Sequence, residues 1–286
     1  MSLVKGSLIG IGGAGVLGVG GYLVFRSQQP TDVKSRLVWD GLSIVESQSL
    51  GVYKALYLAN HTKTGFTSFV TSSTKEDAAP LLKAKCNKLF SVNTSSKEYE
   101  KSLEEAKKWC LLPEKTTIEI SLLLEDANFS SSDDDYKNIF ASNKSNQSFI
   151  DAIKSGDSSL STSSSVDVGL PKLKAWCTSI ITKAPKEEDL KNARAWCLKG
   201  PLDIKEQLSK EGLVSLKEGQ WTQGFTRHKG DQDFLKAIEA TSPPSIEDST
   251  GGTKLQTWCT EKLKMKLHDN SYSDTYNKVK KYCTSN

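Results

Sequence analysis

The chain of 286 residues carries 38 basic and 34 acidic side chains, a net charge of +4, and is 37% hydrophobic. These proportions suit a folded, soluble body and exclude a polytopic membrane protein. No block of lysine and arginine supplies the concentrated cationic face of a nucleic-acid binder, so no nucleic-acid partner is expected.

The first element is apolar. From Gly6 to Phe25 twenty residues run without a charge, bracketed by Lys5 and Arg26. A helix of that length spans about 30 Å, one hydrocarbon core. A cleaved signal peptide is the rival reading, but its apolar region is typically about 7–15 residues long, whereas this run continues through Tyr22-Leu23-Val24-Phe25. Residues 1–29 are therefore read as an uncleaved signal anchor, spanning the lipid bilayer over about residues 6–25. Gly6, Gly10, Ala14 and Gly18 recur every fourth residue, a small-residue ridge that suits weak homo-association of such helices. Gly10-Ile11-Gly12-Gly13-Ala14-Gly15 matches a dinucleotide fingerprint, but that motif works only between a strand and a helix. Here Gln28-Gln29-Pro30-Thr31-Asp32 leads into a helical pattern instead, so no cofactor is expected.

Beyond the anchor one module is written three times, over residues 30–112, 113–200 and 201–286. Pro30-Thr31-Asp32-Val33 parallels Pro201-Leu202-Asp203-Ile204, with a looser copy from Pro113. Proline followed by an acid is a helix opening, because proline tolerates the first turn and acids favour the positive dipole end. Next come aromatic pairs four apart: Tyr53 and Tyr57, Tyr136 and Phe140, Trp221 and Phe225. Nine residues after each second aromatic stands Phe66, Phe149 or Phe234. Residues four apart share a helical face, so these side chains are expected to be core rather than an aromatic binding groove.

The cysteine half closes each module. Cys86, Cys177 and Cys259 lie within apolar stripes of helical period. Cys110, Cys197 and Cys283 follow Trp109, Trp196 and Tyr282, at the ends of equally periodic segments. Trp176 and Trp258 directly precede the earlier cysteines and join the expected repeat core. Ser95-Ser96-Lys97-Glu98 reads as a capping box. Pro80 and Pro171, six residues before their cysteines, place those cysteines in an early helical turn, so that a bridge clamps a helical hairpin at its open end. Repeat logic favours Cys86–Cys110, Cys177–Cys197 and Cys259–Cys283; the rival is six reduced, buried thiols. No zinc site is expected, since there is no C-x-x-C and His61, His228 and His268 are not spaced as partners. Ser130–Asp135, Ser155–Ser165 and Pro243–Gly252 read as exposed polar loops. The fold class is thus mainly α: a transmembrane helix, then three small helical modules, each with a disulfide-clamped hairpin.

The chain resembles the large paralogous families of functionally uncharacterised proteins in haemotropic mycoplasmas. The likeness rests on the opening Ser7-Leu8-Ile9-Gly10-Ile11-Gly12-Gly13-Ala14-Gly15, the lysine-rich polar body, the recurrent Trp-Cys helices and the cysteine near the end. It implies a membrane-anchored surface protein of a wall-less bacterium living on red blood cells, and it carries over no functional residues. Paired cysteines suit an oxidising compartment, which places residues 27–286 outside the cell. H-E-x-x-H, a P-loop and G-x-S-x-G are all absent, so no catalysis is expected. The expected role is a surface interaction protein engaging a host protein or cell-surface ligand. The alternatives are a structural or antigenic-decoy coat, and a secreted factor if the apolar segment is cleaved.

Overall fold

Fifteen α-helices and no extended strand make up the described residues of the computed structural model, which are 29–46, 49–154, 159–240 and 246–285. The apolar segment at 6–25 lies outside them. No helix among the described residues is long and apolar enough to cross a membrane. The chain divides into two compact units, with the boundary between Pro113 and Glu114.

The first unit holds α1 (Val33–Trp39), α2 (Gly51–Asn60), α3 (Phe66–Phe69), α4 (Lys75–Phe90) and α5 (Tyr99–Trp109). The second holds ten helices in two successive sets. One set is α6 (Ile118–Leu124), α7 (Asp133–Asn143), α8 (Gln147–Ile153), α9 (Val166–Ile180) and α10 (Glu187–Trp196). The other is α11 (Ile204–Lys210), α12 (Trp221–His228), α13 (Gln232–Ala237), α14 (Asp248–Lys262) and α15 (Tyr272–Tyr282). Each of these two sets encloses its own hydrophobic core within the one unit.

The opening helix of each set is only seven residues long, too short to persist alone, and it is held at its start by side chain and by distant backbone. Asp32 caps α1 reciprocally with Ser35, Thr117 caps α6 and Asp203 caps α11. In the first and third sets the acid thus serves as the cap itself and the proline lies outside the helix, because a carboxylate one residue before the first turn reaches the free N–H groups there. The first helical N–H donates across the module: Val33 to the Val92 carbonyl at 3.0 Å, Ile118 to Lys183 at 2.9 Å, Ile204 to Met265 at 3.1 Å. Twelve residues on, Val45, Ser130 and Leu216 donate to the carbonyls of Cys110, Cys197 and Cys283 at 3.0, 2.9 and 2.8 Å. Each set of five helices is therefore zipped start to end by its own backbone.

Inside, three rings run in line in every set. Tyr57, Phe66 and Trp109 are linked at 6.0 and 5.3 Å between ring centres, and Phe140, Phe149 and Trp196 at 5.9 and 5.2 Å. Phe225, Phe234 and Tyr282 follow at 5.9 and 4.9 Å. All nine are buried, in the tilted and edge-on arrangements aromatic quadrupoles favour. Trp176 and Trp258 depart from the expectation of core. Each is only half-buried and packs from the rim, at 5.4 Å from Trp196 and 6.4 Å from Tyr282. The adjacent cysteine takes the inward direction, and one residue along a helix turns the side chain by roughly 100°.

The bridges are Cys86–Cys110, Cys177–Cys197 and Cys259–Cys283, with no free cysteine among the described residues. Their place in the helices corrects the sequence reading. Each first cysteine is the twelfth residue of its long helix, near the end rather than in an early turn, and each second cysteine is the C-cap of the last helix. Pro80 and Pro171 do not open these helices but lie inside them, as their sixth residues. Only the bond to the carbonyl one turn back is lost there, close to an end where few such bonds exist.

Three further expectations change. Gly251 and Gly252 belong to α14, not to a loop. They and Gly169 of α9 let the long helix approach its neighbour: a Cβ on Gly169 would stand 2.0 Å from the Phe140 ring, one on Gly251 2.4 Å from Phe225, and one on Gly252 2.8 Å from the Thr222 backbone. Asp133, Asp134 and Asp135 form the first turn of α7, with Ser132 and Asp135 in a capping box and Asp135 only 4% exposed. Three acids at the positive end of a helix dipole are stabilised there. Glu98, conversely, is the N-cap of α5 and makes no side-chain capping bond, so Ser95-Ser96-Lys97-Glu98 is not a capping box.

Candidate functional site

The most elaborated surface feature of the second unit is an open cleft of about 370 Å³ between its two sets of helices. Its floor is made by Asn138, on the third position of α7 after the capping box, which is 3% exposed. The Asn138 Nδ2 group donates to the carbonyls of Pro201 at 3.3 Å and Leu202 at 3.0 Å. Its Oδ1 accepts the backbone N–H of His268 at 3.2 Å and lies 2.6 Å from His268 Nδ1. Because both amide protons already face carbonyls, Oδ1 must be the acceptor, and the shared proton belongs on Nδ1 of His268. Ser142, Gln207, Lys210, Leu267 and Tyr272 complete the wall. The cleft thus offers an ammonium, amide and hydroxyl groups and an aromatic face, all able to contact a polar ligand.

Four polar contacts spanning 63 to 130 residues join the sets through one side chain. Asn138→Ala leaves two carbonyls and two N–H groups, the His268 amide and its Nδ1, without their partner, and is expected to weaken the junction by about 1–2 kcal/mol. Hydrogen exchange at the His268 amide should then rise by roughly tenfold. Unchanged exchange would show that the asparagine does not hold the sets together.

A second groove of about 370 Å³ runs before Trp258, with Ile238, Thr253, Thr257 and Glu261 on its sides. The half-buried position of Trp258 gives this groove its aromatic wall, while its predicted role as core is only partly filled. The other ten predicted residues pack as described above, and the disulfides lie beneath them. Among the described residues no three His, Cys, Asp or Glu side chains gather as metal ligands.

Charge fixes the last helix. Lys280 at 2.8 Å, the Tyr276 hydroxyl and Gln207 at 2.8 Å all donate to Glu211, and hold its carboxyl down to about 2 from an ordinary 4.5. Lys281 at 2.8 Å and the Tyr282 hydroxyl at 2.9 Å do the same for Asp231, the cap of α13, depressing it further. Burial lowers His228, which stacks edge-on against Tyr282 at 5.2 Å. A depressed carboxyl contributes stability that is complete above its unfolded value and is lost as pH falls through the folded one. Acidification from 4.5 to about 2 is therefore expected to loosen α15 from α11, read as faster hydrogen exchange at residues 272–282. The effect is small because these groups are exposed. Glu211→Gln should reduce it over that window, leaving the part owed to Asp231, and an undiminished response in the variant would assign the loosening elsewhere.

Sequence reasoning missed Asn138, His268, Gln207 and Lys210. Nothing local to any of them marks a junction, since Asn138 stands in its helix like any polar residue. Comparison with known protein families, curated proteins and solved structures finds no match.

Proposed function

We propose that this is a single-pass, membrane-anchored protein of the cell surface that binds a host protein or cell-surface ligand and performs no catalysis. In this reading residues 6–25 span the bilayer, and three tandem modules, 30–112, 113–200 and 201–286, stand outside the cell. The observation that carries it is the pairing of every cysteine within its own set of five helices. Three such bridges, each reinforcing a small core, persist in an oxidising compartment and are rare in a reducing one. The charge-free stretch from Gly6 to Phe25 supplies the attachment. The resemblance to surface proteins of haemotropic mycoplasmas, which live on red blood cells, supports erythrocytes as the first cells to test.

Repetition supports binding over chemistry. Three similar modules present similar surfaces, and weak contacts made together give avidity that a single contact lacks. The cleft at Asn138 and the groove at Trp258 offer hydrogen-bonding and aromatic walls of the kind ligands use. Protease shaving of intact cells, followed by non-reducing peptide mapping, should release peptides from 30–286 with the three bridges intact. Free thiols throughout, or protection of the whole chain, would overturn the location. Failure of the full chain in vesicles to retain erythrocytes or plasma proteins above protein-free vesicles would overturn the binding role.

A further inference from the structure

The last residues of α1 form an apolar surface that the rest of the fold leaves uncovered. Val38 and Trp39 are each 56% exposed, and Leu112, at the far end of the same unit, is 45% exposed. Backbone pairing brings the last of these to the same end: Ile44 and Leu111 form a bridge, and Leu112 N–H donates to the Ser43 carbonyl at 2.8 Å. Lys107 and Arg36 lie 3.2 and 3.0 Å from Asp40, and Lys34 pairs with Glu46, so the acids beside the apolar residues are neutralised. An exposed indole among paired charges is free to meet an apolar surface.

The other sets of helices carry different side chains at these positions. Trp39 is the last residue of a seven-residue opening helix; its counterparts are Leu124 and Lys210. Val38 corresponds to Leu123, which is buried at 3%, and to Ser209. Lys210 lines the cleft that faces the set of helices preceding it in the chain, as does Gln207, the counterpart of Arg36. The first set is the one preceded in sequence by the apolar segment from Gly6 to Phe25. Only there does the position carry tryptophan.

We propose that Val38 and Trp39, with Leu112 beside them, dock the first unit onto the lipid headgroup interface of the membrane that holds residues 6–25. This rests on the anchor reading above. From Phe25 to Val33 the chain advances eight residues, a reach of at most about 30 Å, and Trp39 lies about 10 Å further along α1. In that reading so short a connection keeps the patch within about 40 Å of the bilayer. Indole, with an apolar body and one N–H donor, settles at that interface, and valine and leucine add area to the contact. The module nearest the membrane is thereby held against it.

The test uses the full chain reconstituted in phosphatidylcholine vesicles with or without bromine on the upper part of the acyl chains. The chain carries six tryptophans, and Trp39 is the one most exposed. Brominated lipid is expected to quench part of the emission, and Trp39→Ala to reduce that quenched part about threefold or more. Circular dichroism should be unchanged, because an exposed side chain is removed. Equal quenching in the two proteins, both floating with the vesicles, would overturn docking while leaving the anchor intact. A chain that does not float would overturn the anchor and docking together. A Trp39 blue shift that grows with protein density and is insensitive to bromine would place a second copy of the chain on the patch, and would also overturn the proposal.

Discussion

Replacing Cys177 and Cys197 together by alanine should cost the second unit about 3 kcal/mol of stability, the expected effect of opening a loop of this size in the unfolded chain. The separation is 20 residues, against 24 for the other two bridges, so the three should differ little. The sulfurs lie in the core, where Cys177 and Cys197 are 2% and 1% exposed, and their removal adds a small cavity to the entropic loss. Denaturant unfolding followed through hydrogen exchange is the appropriate measurement, because a chain of two units need not unfold in one step. Protection should fall at 118–198 and much less at 33–110. A loss below about 1 kcal/mol would mean that the backbone zipper, from Ile118 to Lys183 and from Ser130 to Cys197, closes the module without help from sulfur.

Gly169→Ala should destabilise the same unit by about 2 kcal/mol, against the usual sign of the change. In the interior of an ordinary helix alanine is favoured over glycine by about 1 kcal/mol. Here the new Cβ would stand 2.0, 2.2 and 2.3 Å from three atoms of the Phe140 ring, itself fully buried and hemmed in by Phe149. The ring has no free direction in which to yield, so α9 and α7 must part. Gly251→Ala should behave alike against Phe225. Truncating the opposing ring tests the cause: in a Phe140→Leu background the added methyl should cost much less, giving a favourable coupling between the two changes. Denaturant midpoints of the four proteins in that cycle decide it. A neutral or stabilising Gly169→Ala would show that the helices do not approach so closely.

These two results separate what a sequence carries openly from what it carries only in context. Nine aromatic residues were legible as core because a helix repeats every few residues and writes its buried face into the spacing of Tyr57, Phe140 and Phe225. The partners of the six cysteines were legible because the same phrase occurs three times. Position within the helix was not: Pro80 and Pro171 look like openings, and only the capping of α4 by Thr74 shows that the helix starts five residues before its proline. Gly251-Gly252 looks like a loop, since the sequence does not state that a ring stands opposite.

Helical period and the buried aromatic face were thus determined by local spacing, within reach of a single turn, and the cysteine partners, 20 or 24 residues apart, by the threefold repeat. The tertiary structure decided the direction of Trp176 and Trp258, the use of glycine as a gap between helices, and the junction at Asn138. Its acceptors and donors lie 63 to 130 residues away, and a contact of that range leaves no mark on the residues beside it. A polar side chain on a helix is solvated or buried according to what the rest of the chain brings against it, and that is a property of packing rather than of pattern.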